Sequence, residues 1–336
     1  MRLDVARYGA VNARVRSLLP GLLGRSGLEG LYSFPSGPAM REALRHTAYG
    51  ADMDRQAHVR ARVVGAGLAI RRFLQVPERT LVDCYLRHHE VENLKLLVRS
   101  VSGAERWSEV AGRFVPLGEI ASFDPHGLAS CHELPALVQA LARSPYGPAL
   151  QGALPRLADA GPFVLEVAAE LDHYERLWDA TAGLRARDTV RARALLGLLY
   201  DVLNLSWIAR HRGELGLSPE EALNYSLRQG RWVTSEVRRR LVEEQPVNWG
   251  AALTGTAYDR FVPELQQGGF EAAAPGLLQI VGRAARAELR GYPFHIGVPL
   301  GFLMLLDLEV RDVEVLMTCK QLERPAGEAL GQVSAP

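Results

Sequence analysis

The sequence predicts an all-α protein built from three tandem, similar helical modules. Three observations lead to this prediction. A short motif occurs three times at a near-constant interval, and each copy lies in a stretch whose apolar residues have helical spacing. Signals for strands are weak, because no Asn-Gly or Asp-Gly turn separates two alternating apolar runs.

The motif combines an acid, a valine, any residue, Asn or Asp, and then Leu or Val. It reads EVENLKLLVR at 90–99, DVLNLSWIAR at 201–210 and EVRDVEVL at 309–316, so the two intervals between copies are nearly equal. Its polar positions are Glu90, Asn93, Asp201, Asn204, Glu309 and Asp312.

A second marker precedes each copy and consists of Leu, two residues, Ser or Thr, one residue and Tyr. The three examples end at Tyr49, Tyr146 and Tyr258. Two markers in the same order, three times, predict an internal repeat. The expected modules are 1–110, 111–216 and 217–325, followed by a C-terminal tail, 326–336, which we expect to be frayed.

Each motif copy is expected to lie on an amphipathic helix. In the first, Val91, Leu94, Leu97, Val98 and Val101 share one face, and equivalent stripes surround the other copies. Residues that end helices follow at Gly103, Gly213 and Pro325. Ser218-Pro219-Glu220-Glu221 reads as a helix start.

Composition excludes several classes of protein. The 336 residues carry a net charge of +1, whereas dedicated nucleic-acid binders have a basic excess. Three distant cysteines form no disulfide framework, which fits a reducing compartment. No phosphate-binding P-loop is present, and no cofactor is expected. The most apolar run, 296–306, is too short to span a bilayer, so no direct membrane insertion is expected.

Two groups of polar side chains could carry chemistry. Asp124, His126, Cys131 and His132 have the side chains of metal ligands, but their spacing matches no structural zinc pattern, so a loop is favoured over a metal site. Glu166 and Glu170 share one helix face, and we interpret them as a solvated acidic surface near His173 and Arg176.

Arginines could contact a partner. Arg283, Arg286 and Arg290 are spaced for one helix face that could meet a phosphate or an acidic protein surface, although a solvated face is the simpler interpretation. In Arg238-Arg239-Arg240, neighbouring glutamates interleave with the basic charges.

The repeated Asn93, Asn204 and Asp312 lie among aliphatic residues. A buried amide or carboxyl group without partners costs about 1–3 kcal/mol. We therefore expect each to bond to the chain of its own module, near the Ser/Thr-x-Tyr turn, with an exposed helix position as the alternative. Three copies favour a structural role over catalysis.

These residues carry a resemblance to a known family. Tyr8-Gly-Ala-Val-Asn-Ala-Arg-Val-Arg16, EVENLKLLVR at 90–99, LGLSPEEAL at 215–223 with Gly230-Arg-Trp-Val, and the segment from Gly297 to Asp312 resemble the central-stalk family of rotary ATPases. The family comprises the C subunit of archaeal and bacterial A/V-type ATPases and the d subunit of eukaryotic vacuolar ATPases. The similarity extends from Tyr8 to about Glu323. Thr318 replaces the arginine found at Arg99 and Arg210.

The resemblance implies a non-catalytic rotor component in which three modules form a funnel. Such a protein links the membrane ring of proteolipid subunits to the shaft formed by the D and F subunits, on the cytoplasmic face of the membrane. It couples ATP hydrolysis or synthesis to proton or sodium transport. The alternatives are a free-standing helical-repeat scaffold and a metal-dependent hydrolase that uses the Asp124–His132 cluster.

Overall fold

The structure, a computed structural model, describes residues 2–50 and 56–335. The described residues form helices and connecting segments without any strand, which confirms the all-α prediction. The chain divides into two compact units: unit A comprises 1–43 and 184–336, and unit B comprises 44–183. The expected division at 110 and 216 into three modules stays a prediction.

Unit A contains the beginning and the end of the chain. Its helices are α1 (Arg2–Leu18), α2 (Gly24–Tyr32) and α3 (Gly37–Arg45), which runs two residues into unit B. Those of unit B are α4 (Gln56–Arg71), α5 (Val76–Leu86), α6 (His88–Val101), α7 (Trp107–Val110), α8 (Leu134–Ala140), α9 (Gly147–Ala153), α10 (Leu157–Ala160) and α11 (Phe163–Ala180).

The chain then completes unit A. The remaining helices are α12 (Ala186–Ala209), α13 (Pro219–Asn224), α14 (Ser235–Glu243), α15 (Trp249–Leu253), α16 (Val262–Glu288), α17 (Gly297–Gln321) and α18 (Ala326–Gly331). α16 has a kink at Gly269, whose φ of 68° is left-handed and suits a residue without Cβ.

The core of unit B forms where the first motif helix packs. α6 contacts α5, α7, α8 and α11, and its apolar stripe is buried with Phe114 and Tyr146. In unit A, α17 packs against α1, α2, α12, α16 and α18. The apolar stripes predicted from the sequence therefore face protein interior at α6 and α17.

Helix ends follow the predicted signals in part. α6 ends before Gly103, whose φ is 79°, and Ser218 caps α13 through a reciprocal capping box with Glu221. α12 does not end at Gly213. It continues as a π-helix, Arg210–Glu214, and the glycine with positive φ is Gly216.

The expectation of a frayed tail is wrong. α18 forms within it, and Val333 and Ser334 are buried. Ser334 bonds to the buried carboxyl group of Asp312, which needs hydrogen-bond donors at a site away from water.

Within the described residues, one helical stretch, Ala186–Glu214, is long and apolar enough to cross a membrane by length and composition. The protein buries 61% of its apolar window, and core helices of soluble proteins meet the same criterion. This is weak evidence for a membrane span.

Candidate functional site: three buried polar motifs

The first motif copy fastens an extended segment to α6. Asn93, which is 2% exposed, donates from Nδ2 to the carbonyl oxygen of Val115 and accepts from its amide at Oδ1, both at 2.8 Å. The acid three residues earlier, Glu90, lies on the same side of the helix. It accepts the hydroxyl of Tyr146 at 2.9 Å and also the amide of Ser122.

The second copy repeats this arrangement in unit A. Asn204 donates to the carbonyl of Leu227 at 3.1 Å and accepts its amide at 2.8 Å. Asp201 accepts the hydroxyl of Tyr258 at 2.9 Å. Its carboxyl group also receives the amides of three consecutive residues, 231–233, each at 2.9 Å.

A glycine allows the close approach at Asp201. A Cβ built on Gly230 would lie 2.5 Å from a carboxyl oxygen of Asp201 and 2.8 Å from the carbonyl oxygen of Val233. No side chain fits there without moving backbone. Burial raises the pKa of Asp201, while its four donors act in the opposite direction.

The third copy uses different donors at the same positions. Asp312 is fully buried, and its Oδ1 accepts both the amide and the hydroxyl of Ser334 at 2.9 Å. Both donors of Ser334 thus bond to one carboxyl oxygen, since a carboxylate cannot make the donation that Asn93 and Asn204 make. Burial raises the pKa of Asp312, and its bonds to Ser334 oppose that shift.

The third acid is bonded by the beginning of the chain. Glu309 accepts the amide of Gly24 at 3.0 Å, across 285 residues of sequence. The spacing from Gly24 to Tyr49 nearly equals the spacing from Ser122 to Tyr146. By this spacing, the N-terminal segment is the counterpart of the segment that contains Ser122, and it supplies the equivalent donor to the third acid.

The three tyrosine markers form the same turn. The Ser or Thr hydroxyl donates to the leucine carbonyl three residues earlier, at 2.7 Å in each copy, and accepts the tyrosine amide at 3.1–3.3 Å. All three tyrosines are buried. Burial, followed by the nearby carboxyl group, raises the pKa of Tyr146 and of Tyr258, so both phenols remain protonated donors.

The partner of each repeated amide differs from the expected one. The amides bond to segments 22 or 23 residues downstream, and it is the acids Glu90 and Asp201 that bond to the tyrosines after the turns. These bonds cross the expected module boundaries at 110 and 216. In the first two copies the motif therefore ties its helix to a later part of the chain.

The interpretation of Glu166 and Glu170 as a solvated face is wrong. Glu166 bonds to Arg99 through two charged contacts of 2.9–3.0 Å, and Glu170 bonds to Lys95 at 2.6 Å. Each helix carries its pair four residues apart, so the pairs align across α6 and α11. Lys95 also contacts Glu92 at 2.8 Å. Opposite charges at Arg99 and Lys95 were the signal in the sequence.

In the Asp124–His132 cluster, Asp124 and His126 make contacts with nearby parts of the chain. Asp124 accepts the amide of His126 at 3.1 Å, and the His126 ring packs edge-on against Trp107 and Phe114. Asp124 and His126 line a cavity of about 240 Å³ whose other polar members, Glu90 and Asn93, already hold hydrogen bonds.

The arginines of the two groups, 283–290 and 238–240, differ in exposure and in hydrogen-bond partners. Arg283 is exposed and bonds to Gln279, Arg286 is half-buried, and Arg290 lies beyond the end of α16. Arg239 and Arg240 pair with Glu236 as the interleaved charges suggested. Arg238 instead is buried and donates to the hydroxyl of Ser226 at 2.9 Å.

Comparison with known proteins decides the family. The ATP synthase (C/AC39) subunit family matches residues 11–329, nearly the whole chain. The chain belongs to this family. The family resemblance seen in the sequence is therefore confirmed.

Named relatives agree in length and in description. The chain is 23% identical over 330 residues to the C subunit of the A-type ATP synthase of Methanothermobacter thermautotrophicus, covering 95% of this chain and 85% of the relative. It is 22% identical to the C subunit of Methanocaldococcus jannaschii, covering 95% and 84%. A third relative, from Methanosphaera stadtmanae, is 22% identical over 94% and 84%.

Membership fixes the broad role. The C subunit is not the catalytic subunit, which confirms the prediction of a non-catalytic protein. Its partners are the other subunits of an ATP synthase, a membrane-associated complex.

Proposed function

We propose that the chain links the proteolipid ring of the membrane sector to the shaft formed by the D and F subunits, on the cytoplasmic face of the membrane. In this role it transmits torque between ATP hydrolysis or synthesis and the transport of protons or sodium ions. The observation that carries the proposal is the family match over residues 11–329.

The repeated motif gives this role a mechanical basis. A coupling element must hold its shape under load, and fully bonded buried polar groups rigidify the core around them. Asn93 and Asn204 each bond a helix to a later segment through both atoms of the amide group, and Asp312 does so through one carboxyl oxygen. The proposed organisation is three modules, 1–110, 111–216 and 217–325, and the funnel stays a prediction.

Co-purification tests the linkage. The chain is given an affinity tag and expressed in the organism that encodes it. Purification from detergent-solubilised membranes is expected to recover both the proteolipid and the shaft subunits. Membranes lacking the chain are expected to lose ATP-driven ion transport while ATP hydrolysis by the soluble head persists. Recovery of neither membrane nor shaft subunits would support the scaffold alternative instead.

A further inference from the structure

Three segments of unit A meet at an exposed surface. The side chain of Asp4 in α1 accepts from Arg185 at 3.2 Å, just before α12, and from the Tyr292 hydroxyl at 3.4 Å, between α16 and α17. Val5, which follows Asp4, is 42% exposed, and Val190, three residues after Arg187 on α12, is 70% exposed. We call Val5, Arg185, Arg187, Val190 and Tyr292 the Tyr292 patch.

The patch combines basic and apolar chemistry. The side chain of Arg187 is exposed and has no hydrogen bond or ion pair to any described residue, and the same holds for the side chain of Arg290, two residues before Tyr292. Tyr292 is 40% exposed. Desolvation and Asp4 raise the pKa of Tyr292, while the charge of the nearby Arg187 opposes the shift. The phenol of Tyr292 thus lies near the unpaired guanidinium group of Arg187, and Arg290 is two residues away in sequence.

An equivalent loop in unit B carries the same chemistry. Phe73 lies as far before Glu90 in the sequence as Tyr292 lies before Glu309. Phe73 is 46% exposed and Val76 is 71% exposed, and Arg72 beside them is exposed without a partner among the described residues. Single exposed apolar residues are ordinary on a protein surface. An aromatic side chain beside an unpaired arginine at the same repeat position is a stronger signal.

We propose that the Tyr292 patch binds the headgroup region of a bilayer that contains anionic phospholipids. Guanidinium groups match phosphate in geometry and charge, and tyrosine favours the interface between water and lipid. This contact goes beyond the linkage of ring to shaft, and it relies on the proposed placement beside the membrane.

The size of the patch favours lipid over a protein partner. A stable protein interface buries roughly 800 Å² on each side around packed aromatic anchors. Here the exposed apolar side chains are Val5 and Val190, with the partly exposed ring of Tyr292. A weak surface contact suffices for a subunit already held in a membrane complex, because tethering raises its effective concentration.

Vesicle co-sedimentation of the purified full chain tests the proposal. At low salt, we expect binding to vesicles of phosphatidylcholine with phosphatidylglycerol and little binding to phosphatidylcholine alone. Each basic residue near an anionic surface contributes about fivefold in affinity, so Arg185→Ala/Arg187→Ala should bind roughly 25-fold more weakly. Asp4→Asn should bind about fivefold more tightly, because it removes a negative charge.

A matched control removes the same charge elsewhere in unit A. Arg239→Ala/Arg240→Ala also removes two exposed arginines, paired with Glu236 as Arg185 is with Asp4. It should bind vesicles within about twofold of wild type if the Tyr292 patch is the contact. Circular dichroism of each variant checks folding.

The proposal is overturned if the wild-type chain does not bind anionic vesicles. It is also overturned if the patch variants bind as well as wild type, or if patch and control variants lose binding equally. Patch variants that keep vesicle binding but lose the membrane sector would show a protein contact instead, and would also overturn it. Failure here leaves the linkage of ring to shaft intact, because co-purification from membranes tests that separately.

Discussion

The side chain of Asn93 and the main chain of Val115 form a two-way hydrogen-bonded pair, in which each residue donates once and accepts once at 2.8 Å. Asn204 and Leu227 form the same pair in unit A. In this arrangement, the asparagine side chain makes to one residue the two main-chain hydrogen bonds that a neighbouring strand would make in a sheet. It holds that residue against a helix without any sheet.

Loss of the amide should destabilise the protein. Asn204→Ala leaves both main-chain groups of Leu227 unbonded in a buried site, so unfolding free energy should fall by about 2–4 kcal/mol. Urea denaturation followed by circular dichroism measures it. Asn224→Ala, at an exposed position in the same unit, should change stability by less than about 0.5 kcal/mol. Equal effects of the two substitutions would contradict the assigned bonds.

The tyrosine hydroxyls should contribute through the motif acids. Tyr258→Phe removes one donor from the buried Asp201 while keeping the ring, and should cost about 1.5–3 kcal/mol. Tyr292→Phe, at an exposed phenol, serves as the control and should cost less than about 0.5 kcal/mol. A double-mutant cycle with Asp201→Asn should show strong coupling. Additive effects would show that the hydroxyl acts elsewhere.

The charged pairs between α6 and α11 should depend on each other. Lys95→Met strands the largely buried Glu170, and breaking such a pair costs about 3–5 kcal/mol. The double variant Lys95→Met/Glu170→Met should recover most of that loss, because no buried charge remains unpaired. Thermal unfolding of the four proteins in the cycle gives the coupling. The exposed pair Arg106 and Glu109 should show much weaker coupling, because water screens it.

Acid should destabilise the protein through buried histidines. Burial, with Arg210 as a lesser cause, lowers the pKa of His211 to about 4, from an ordinary 6.5. The unfolded chain therefore binds more protons between these values, and stability falls as pH drops from about 6.5 towards 4. Burial also lowers the pKa of His173 in unit B.

Replacement of His211 by Phe removes the titrating group. The variant should show a shallower loss of unfolding free energy between pH 6.5 and 4, even if its stability at pH 8 is lower. Urea midpoints across that range measure the slope. A wild-type slope in His211→Phe would contradict the prediction.

Arg283, Arg286 and Arg290 should matter for assembly if they contact a partner subunit. Their joint replacement by alanine should reduce recovery of proteolipid or shaft subunits with the tagged chain while leaving urea stability within about 1 kcal/mol. The matched variant replaces Arg239 and Arg240, both exposed and paired with Glu236. Unchanged recovery of both partners would remove these arginines from the interface.

Sequence alone predicted the helices and the buried repeat positions, because periodic apolar stripes and three aligned copies are local patterns. It could not supply the partners of the polar groups. Val115 and Leu227 carry no side-chain signal, since only their main chain is bonded. The opposite charges of Lys95 and Glu170 are visible in the sequence, but the spacing within α11 does not show that α6 packs beside it. Ser334 was expected to fray because a short tail shows no periodicity.

The contact between Gly24 and Glu309 also constrains the order in which parts of the chain fold during synthesis. α2 leaves the ribosome 285 residues ahead of the carboxylate that accepts its first amide. Residues 44–183 can make their internal contacts while translation continues, but the N-terminal helices must wait for α17. A chain stalled or cut short before α17 would leave α1 and α2 without the helix they pack on, so truncated products should be prone to proteolysis.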